Sequence, residues 1–201
     1  MKYCQAHERF REKPYEGRIQ SMARIIFITG GAASGKTRWA VSYYEGCDNV
    51  LYLCVSPKMD QDILDRLNFS NNKHGVEWDI HTDTRDLRSY VKEHKFVILD
   101  NLGAYVSRSM KELCPDISKM TPDLKHEIER NIIDDVVGIM DAVKEIDGNL
   151  LIITIETGFS VCPQNDEQVY FREILGTVNQ RIANMCTDVY MSASGIQFKI
   201  K

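Results

Sequence analysis

The chain has 201 residues, of which 43% are hydrophobic and 27% charged, and its formal net charge is −4. This length fits one domain that buries a sizeable core. The acidic balance argues against a broad binding surface for nucleic acid or anionic membranes. No apolar run is long enough to span a bilayer, and the charged first residues lack the apolar core of a signal peptide. We therefore expect a cytoplasmic protein with no membrane span and no nucleic-acid partner.

The first 22 residues form a segment that differs from the rest of the chain. They mix charges with Pro14 and Gly17 and show no sustained hydrophobic period. This pattern predicts a flexible N-terminal extension, or a single short helix, ahead of the folded part. One nucleotide-binding domain is predicted over residues 23–201.

From residue 24 onward, short apolar runs alternate with longer amphipathic stretches. Strands are predicted at RIIFIT, NVLYLCV, KFVILD (95–100) and NLLIITIE (149–156), and helices at 34–45, 60–69, 122–146 and 166–186. Fully apolar runs are typical of parallel strands buried on both faces, with helices as the crossovers. The ending, DVYMSAS and IQFKIK around Gly195, predicts an edge hairpin. The pattern therefore indicates a doubly wound α/β domain with a mostly parallel sheet.

A loop of small residues, GGAASGKT, follows the first predicted strand and matches the phosphate-loop pattern GxxxxGK(S/T) in full. Such loops turn backbone N–H groups toward phosphate oxygens, and the next helix adds its positive dipole end. Lys36 is expected to reach the β- and γ-phosphates, and Thr37 to ligate Mg²⁺. The alternative, a glycine-rich turn without a ligand, is disfavoured by the strand–loop–helix context. The predicted residues for binding ATP or GTP are Gly30, Gly31, Ala32, Ala33, Ser34, Gly35, Lys36 and Thr37.

Two acidic residues close predicted strands, and we predict catalytic roles for both beside Lys36. Asp100 ends FVILD and is expected to hold Mg²⁺ directly or through water. The alternative for Asp100 is a turn shared with Asn101. Glu156 ends LLIITIE, at the carboxyl edge where ligands bind in such sheets. A solvated loop carboxylate is the alternative for Glu156.

The sequence from residue 156 to the end, ETGFSVCPQNDEQVYFREILGTVNQRIANMCTDVYMSASGIQFKIK, resembles a known enzyme family. It is the bifunctional adenosylcobinamide kinase / adenosylcobinamide-phosphate guanylyltransferase family of cobalamin biosynthesis. In that family a Glu, a Gly and a Pro precede a helix with FR(D/E)xxGxxNQRxA and a strand with SGIxxKIK. ITGGAASGKTRWA is similar to the family's TGGxRSGKS, with Ala33 for arginine and Thr37 for serine, and VLYLCVS and ILDNLGAYVSR occur in the right order. The C-terminal matches are Glu156, Gly158, Pro163, Phe171, Arg172, Gly176, Asn179, Gln180, Arg181, Ala183 and residues 194–201.

The resemblance, which covers residues 24–201, implies two successive reactions. Enzymes of this family phosphorylate the aminopropanol arm of adenosylcobinamide with ATP or GTP. They then transfer GMP from GTP to that phosphate and release pyrophosphate. Cys54, Val55 and Ser56 match a family segment that contacts the nucleotide, and they are predicted binding residues. The family forms homotrimers, so the resemblance also implies a homo-oligomer.

The second reaction depends in this family on a histidine that carries GMP covalently, within the pattern RIxxHxxxRxxxWxTxE. The corresponding segment here, RLNFSNNKHGVEWDIHTD, has Ser70 in the place of that histidine. His74 replaces the family's arginine, and Thr82 replaces a glutamate linked to nucleotide recognition. The residues that match are Arg66, Leu67 and Trp78.

The serine at this position changes the expected chemistry. A serine hydroxyl is a weak nucleophile without an adjacent base, and its phosphate ester is far harder to cleave than a phosphoramidate. We therefore predict a kinase for adenosylcobinamide in which guanylyl transfer is lost or weakened. One alternative is a fully bifunctional enzyme in which His74 or His81 carries GMP, although a histidine on a polar surface segment is often simply solvated. The other is a nucleotide-binding regulator without transferase activity.

Overall fold

The computed structural model describes residues 23–83, 85–159 and 161–201, which fold around a sheet of seven strands. The strands are β1 (Arg24–Gly30), β2 (Val50–Cys54), β3 (Trp78–His81), β4 (Phe96–Asp100), β5 (Asn149–Ile153), β6 (Asp188–Ala193) and β7 (Ile196–Lys199). Their order across the sheet is β3-β2-β4-β5-β1-β6-β7. All neighbouring strands are parallel except β6 and β7, which form an antiparallel hairpin. The predicted doubly wound α/β fold with a C-terminal edge hairpin is confirmed.

Five α-helices lie within the described ranges, and four of them begin at a capping side chain. The helices are α1 (Lys36–Tyr43), α2 (Gln61–His74), α3 (Leu102–Leu113), α4 (Pro122–Glu145) and α5 (Asp166–Met185). Helices α2 to α5 start after residues whose side-chain oxygen accepts a hydrogen bond from a first-turn N–H group, namely Asp60, Asn101, Thr121 and Asn165. Helix α1 follows Gly35 and has no side-chain cap.

The sheet has a hydrophobic layer on each face, which explains why the middle of each central strand is a continuous apolar run. In β1, Ile25 and Phe27 belong to the cluster formed with α3, α4 and α5. Ile26 and Ile28 point to the opposite cluster, which includes residues of α1 and α2. Because successive side chains of a strand alternate between faces, a strand covered by helices on both sides needs apolar residues at every position.

The structure also differs from the sequence-based expectations. Strand β3 and helix α3 were not predicted, and α2 extends to His74 rather than ending at residue 69. Strand β5 ends at Ile153, so the prediction that it continues to Glu156 is wrong. The predicted extension at residues 1–22 lies outside the described residues. None of the helices in the described ranges is both long and apolar enough to cross a bilayer.

Candidate active site

The phosphate loop predicted at residues 30–37 lies between the end of β1 and the start of α1. Gly30 (φ +148°) and Gly35 (φ +96°) adopt conformations that favour glycine. A Cβ atom on Gly30 would lie 2.2 Å from the carbonyl oxygen of Ser192, so no larger residue fits there. Gly31, Ala32 and Ala33 are exposed. Since α1 lacks a side-chain cap, the N–H groups of its first turn are left for a ligand.

Lys36 is buried, and its ammonium group folds back into the loop. Its Nζ donates to the carbonyl oxygens of Gly30 (2.9 Å) and Gly31 (2.6 Å) and to Oγ of Ser34 (3.3 Å). Burial lowers the pKa of Lys36, and the negative charge of Asp100 opposes that shift. A phosphate group in the loop would give this desolvated cation a charged partner, which makes a stronger hydrogen bond than a carbonyl does.

Asp100 ends β4 and reaches the first turn of α1. Its Oδ2 accepts a hydrogen bond from the hydroxyl of Tyr52 (2.5 Å) and lies 3.5 Å from Oγ1 of Thr37. Burial raises the pKa of Asp100, whereas the Tyr52 hydrogen bond and the charge of Lys36 lower it. The structure therefore brings together three of the predicted residues, Lys36, Thr37 and Asp100.

The oxygen atoms of Thr37 and Asp100 fit a magnesium ion that arrives with a nucleotide. Mg²⁺ prefers oxygen ligands and is usually bound through one or two protein groups plus water and substrate phosphates. Across residues 23–83, 85–159 and 161–201, no group of three or more His, Cys, Asp or Glu side chains is arranged to hold a metal ion. The two oxygen donors of Thr37 and Asp100 are thus suited to a magnesium ion that comes with nucleotide phosphates.

Glu156 lies in the loop beyond β5, directly beside the start of the phosphate loop. Its backbone N–H donates to the carbonyl oxygen of Gly30 (3.0 Å). Its side-chain Oε1 accepts from the N–H of Gly158 (2.7 Å), and the carbonyl oxygen of Gly158 accepts from Nη2 of Arg172 (3.0 Å). The carboxylate of Glu156 is therefore held at the carboxyl edge of the sheet, on the opposite side of the phosphate loop from the hairpin.

A buried asparagine of α5 supports the segment that carries Glu156. Nδ2 of Asn179 donates to the carbonyl oxygen of Ile155 (3.0 Å), and its Oδ1 accepts from Oγ1 of Thr154 (2.8 Å). The backbone N–H of Thr154 donates to the carbonyl oxygen of Ile28 in β1 (2.9 Å). These bonds fix the path of the chain from β5 to Glu156.

The predicted binding segment from Cys54 to Ser56 begins at the last residue of β2 and lies beside Asp100. The N–H of Val55 donates to the carbonyl oxygen of Asp100 (2.7 Å). Burial raises the pKa of the Cys54 thiol, so the group stays protonated at neutral pH. Strand pairing places this segment beside Asp100, because Cys54 lies opposite Asp100 in the register of β2 and β4.

Ser70 lies on α2 and is only 7% exposed. It borders a cavity of about 390 Å³ between α1 and α2, together with Arg38, Arg66 and Phe69. Among the described residues, Oγ of Ser70 has no hydrogen-bond partner. No general base is therefore in contact with this hydroxyl.

The two histidines considered as alternative carriers of GMP, His74 and His81, lie in different parts of the fold. Nε2 of His74 is 3.2 Å from Oε1 of Glu45, which follows the C-terminal end of α1, whereas the phosphate loop precedes the N-terminal end of the same helix. His81 ends the edge strand β3, where the centre of its ring lies 4.2 Å from that of Tyr90 and its Nε2 lies 3.0 Å from Oδ1 of Asp79. Three strands, β2, β4 and β5, separate it from β1. The structure brings neither histidine to the phosphate loop.

Sequence reasoning missed the roles of Tyr52 and Asn179. Tyr52 is fully buried in β2, and its hydroxyl finds a partner in Asp100. A tyrosine within a strand that is otherwise apolar is a usable signal, since a buried tyrosine hydroxyl normally needs a hydrogen-bond partner. Asn179 was noted as a match to the family pattern, but its contacts with Thr154 and Ile155 require the three-dimensional structure.

Comparison with known proteins gives a match over nearly all of the described chain. A family model described as cobinamide kinase / cobinamide phosphate guanyltransferase matches residues 26–200. The bifunctional adenosylcobalamin biosynthesis protein CobU of Salmonella typhimurium is 28% identical over 182 residues, which are 88% of this chain and 99% of that protein. The protein of the same name from Escherichia coli is 25% identical over 182 residues, with the same coverage of both chains. The matched region contains every predicted site residue.

Proposed function

The chain belongs to the cobinamide kinase / cobinamide phosphate guanyltransferase family of cobalamin biosynthesis, and we propose that it retains the kinase reaction and has lost guanylyl transfer. Its substrates in this proposal are adenosylcobinamide and ATP or GTP with Mg²⁺. The observation that carries the proposal is the meeting of Lys36, Thr37 and Asp100 at one edge of the sheet. These are the groups that a phosphoryl transfer needs.

In the proposed kinase step, the hydroxyl oxygen of the aminopropanol arm attacks the γ-phosphorus. The bond from the γ-phosphorus to its bridging oxygen breaks, and the nucleoside diphosphate leaves. Lys36 and the backbone N–H groups of residues 31–37 stabilise the negative charge on the phosphoryl oxygens. Mg²⁺, held by Thr37 and Asp100, would neutralise further phosphate charge when bound.

Glu156 is the residue proposed to orient the acceptor. Its Oε1 is held by the N–H of Gly158, which leaves Oε2 to accept a hydrogen bond from the attacking hydroxyl. The proton of that hydroxyl passes to the Glu156 carboxylate as the new phosphorus–oxygen bond forms. The bond between Glu156 N–H and the carbonyl oxygen of Gly30 supports this role, because it keeps the carboxylate beside the loop that binds the phosphates.

The corrinoid is proposed to occupy the surface next to Glu156. A cavity of about 560 Å³ lies between α4 and α5 and is lined by residues that include Lys125, Arg172 and Gln180. Arg172 also contacts the loop at Gly158, which connects the cavity to Glu156. Phe159 in the same loop is 83% exposed and offers apolar surface for a large ring system.

The proposed loss of guanylyl transfer rests on Ser70. Formation of a covalent GMP intermediate needs a nucleophile that both attacks and leaves readily, as an imidazole does. The hydroxyl of Ser70 has no base in contact among the described residues, and His74 lies at the far end of α1 from the phosphate loop. These positions support a kinase without the second activity over the alternative that uses His74.

Label transfer tests the proposal. Purified protein is incubated with adenosylcobinamide, Mg²⁺ and nucleotide radiolabelled at either the γ- or the α-phosphate. We expect transfer of the γ-label to the corrinoid, and no transfer of the α-label of GTP to the corrinoid or to the protein. Lys36→Ala should abolish γ-transfer, whereas Lys58→Ala, which alters an exposed lysine after β2, should retain it.

Two results would overturn the proposal in different ways. Transfer of the α-label would support the alternative of a bifunctional enzyme. Loss of that label in His74→Ala would identify His74 as the carrier of GMP. Absence of transfer from either position, in a protein that still binds GTP or ATP, would favour the nucleotide-binding regulator.

A further inference from the structure

The turn of the β6–β7 hairpin packs directly on the phosphate loop. Oγ of Ser192 donates to the carbonyl oxygen of Ser34 (2.7 Å), and the N–H of Gly195 donates to the same oxygen (2.9 Å). Ser192 is 1% exposed, so its hydroxyl has no competing contact with bulk water. A carbonyl oxygen has two lone pairs, and at Ser34 the hairpin supplies a donor for each of them.

Gln197 on β7 organises the Ser192 hydroxyl. Its Nε2 donates to Oγ of Ser192 (3.3 Å) and to the carbonyl oxygen of Gly195 (3.3 Å). A serine hydroxyl has one hydrogen to donate. Because Oγ of Ser192 accepts from Gln197, that hydrogen is available for the carbonyl oxygen of Ser34.

The hairpin and the loop approach each other through their backbones. A Cβ atom on Gly30 would lie 2.2 Å from the carbonyl oxygen of Ser192, and one on Gly35 would lie 3.2 Å from Cα of Gly195. At both points the nearest atom of the hairpin is a backbone atom. A shift of the hairpin turn would therefore pass directly to the phosphate loop.

We propose that Ser192, with Gly195 and Gln197, positions the phosphate loop for nucleotide binding. In a planar trans peptide unit the C=O and the following N–H point in opposite directions. Holding the carbonyl oxygen of Ser34 toward the hairpin turns the N–H of Gly35 the other way, toward the space that the loop encloses. This inference rests on the proposed function, since it takes residues 30–37 as the site of nucleotide binding.

The hairpin also offers a control that separates positioning from general stabilisation. At its other end, Nζ of Lys199 lies 2.5 Å from Oδ1 of Asp188, which also binds Arg24. Lys199 pairs with Tyr190 in the strand register, whereas Ser192 pairs with Gln197. Lys199→Gln therefore weakens the pairing of β7 with β6 at the end of the hairpin far from the turn, without removing a contact to the phosphate loop.

The test is the dissociation constant of Mg²⁺–GTP and Mg²⁺–ATP, measured by titration calorimetry on the full chain. Ser192→Ala should raise the dissociation constant about fivefold to tenfold, and Gln197→Ala about twofold to threefold. Lys199→Gln should leave it unchanged, although it removes an ion pair from the same hairpin. In kinase assays Ser192→Ala should raise KM for the nucleotide and not KM for adenosylcobinamide.

The possible failures can be told apart. Equal affinities in the wild type and Ser192→Ala would overturn the inference and leave the proposed function standing. An equal loss of affinity in Lys199→Gln would reduce Ser192 to a structural role, which also overturns the inference. A wild-type protein that binds neither nucleotide would overturn the proposed function together with it.

Discussion

The phosphate loop and the Ser70 segment of α2 differ in how their polar groups are paired. In and around the loop, Nζ of Lys36 has three acceptors, and the carbonyl oxygen of Ser34 has two donors. On α2, Oγ of Ser70 and Oδ1 of Asn71 have no hydrogen-bond partner among the described residues. The polar groups of the phosphate loop are therefore held in place by contacts within the protein, whereas the Ser70 segment lacks an organised nucleophile.

Removing the lysine of the phosphate loop should have the largest effect. In Lys36→Met we expect kcat for phosphorylation of adenosylcobinamide to fall about 1000-fold, because one charged donor to the transferring phosphoryl group is lost. The initial rate of γ-label transfer measures this. Lys58→Met is the matched control and should stay at the wild-type rate. A rate for Lys36→Met within about tenfold of the control would show that the phosphate loop has no role in the reaction.

Neutralising the buried carboxylate should have the next largest effect. Asp100→Asn is expected to lower kcat about 100-fold and to raise the Mg²⁺ concentration needed for half-maximal rate. In the absence of nucleotide, the melting temperature of Asp100→Asn should be higher than that of the wild type. Because burial raises the pKa of Asp100, its ionised form is disfavoured in the folded protein, and a neutral asparagine removes that cost at neutral pH.

The surface substitution Asp141→Asn on α4 serves as a control for the loss of one negative charge. It should change neither the Mg²⁺ dependence nor the rate. A normal Mg²⁺ response in Asp100→Asn would contradict the role of Asp100 as a metal ligand.

A histidine at position 70 of α2 would give the Ser70 segment the nucleophile that it lacks. Ser70→His is expected to give a protein that becomes labelled by GTP carrying a radiolabelled α-phosphate, with a bond that is lost in acid. Asn72→His places the same side chain at an exposed position of the same helix and should give no label. Equal labelling of the two variants, or of neither, would show that the identity of residue 70 does not decide guanylyl transfer.

Removing the Tyr52 hydroxyl should have the smallest effect and should show mainly in the pH profile. The Tyr52 hydrogen bond lowers the pKa of Asp100, so Tyr52→Phe raises that pKa further. Since Mg²⁺ needs the ionised carboxylate, the acid limb of kcat/KM should move to higher pH. Above that limb, kcat/KM should stay within about tenfold of the wild type.

Tyr43→Phe removes a tyrosine hydroxyl that contacts Arg24 instead and is the matched control. Its pH profile should coincide with that of the wild type. An unshifted acid limb in Tyr52→Phe would show that Tyr52 does not act on Asp100.

The central strands could be predicted from the sequence, whereas β3 and α3 could not. Strands covered on both faces must be apolar along their buried middle, and the runs IIFI, VLYL, FVIL and LLII of β1, β2, β4 and β5 are. Strand β3 is a four-residue edge strand, WDIH, too short for a periodic signal. Helix α3 contains Gly103, which disfavours a helix. The structure explains this glycine, since a Cβ atom there would lie 3.1 Å from Cγ1 of Ile155.

The candidate site shows the same division between local and long-range information. The phosphate loop is a local motif, and Asp100 follows from its place at the end of a strand. The contacts of Tyr52 with Asp100 and of Ser192 with Ser34 depend on strand order, which places β2 beside β4 and β6 beside β1. Residue spacing carries no information on such pairs. The placement of Cys54 to Ser56 beside Asp100 has the same origin.

The proposed loss of guanylyl transfer is tested best with GTP as the sole nucleotide, so that both reactions of the family are possible. Purified protein, adenosylcobinamide and Mg²⁺ are incubated with GTP, and the corrinoid products are separated by chromatography. We expect adenosylcobinamide phosphate to accumulate as the end product. Formation of the GDP derivative of adenosylcobinamide would show that guanylyl transfer is retained and would overturn the proposal.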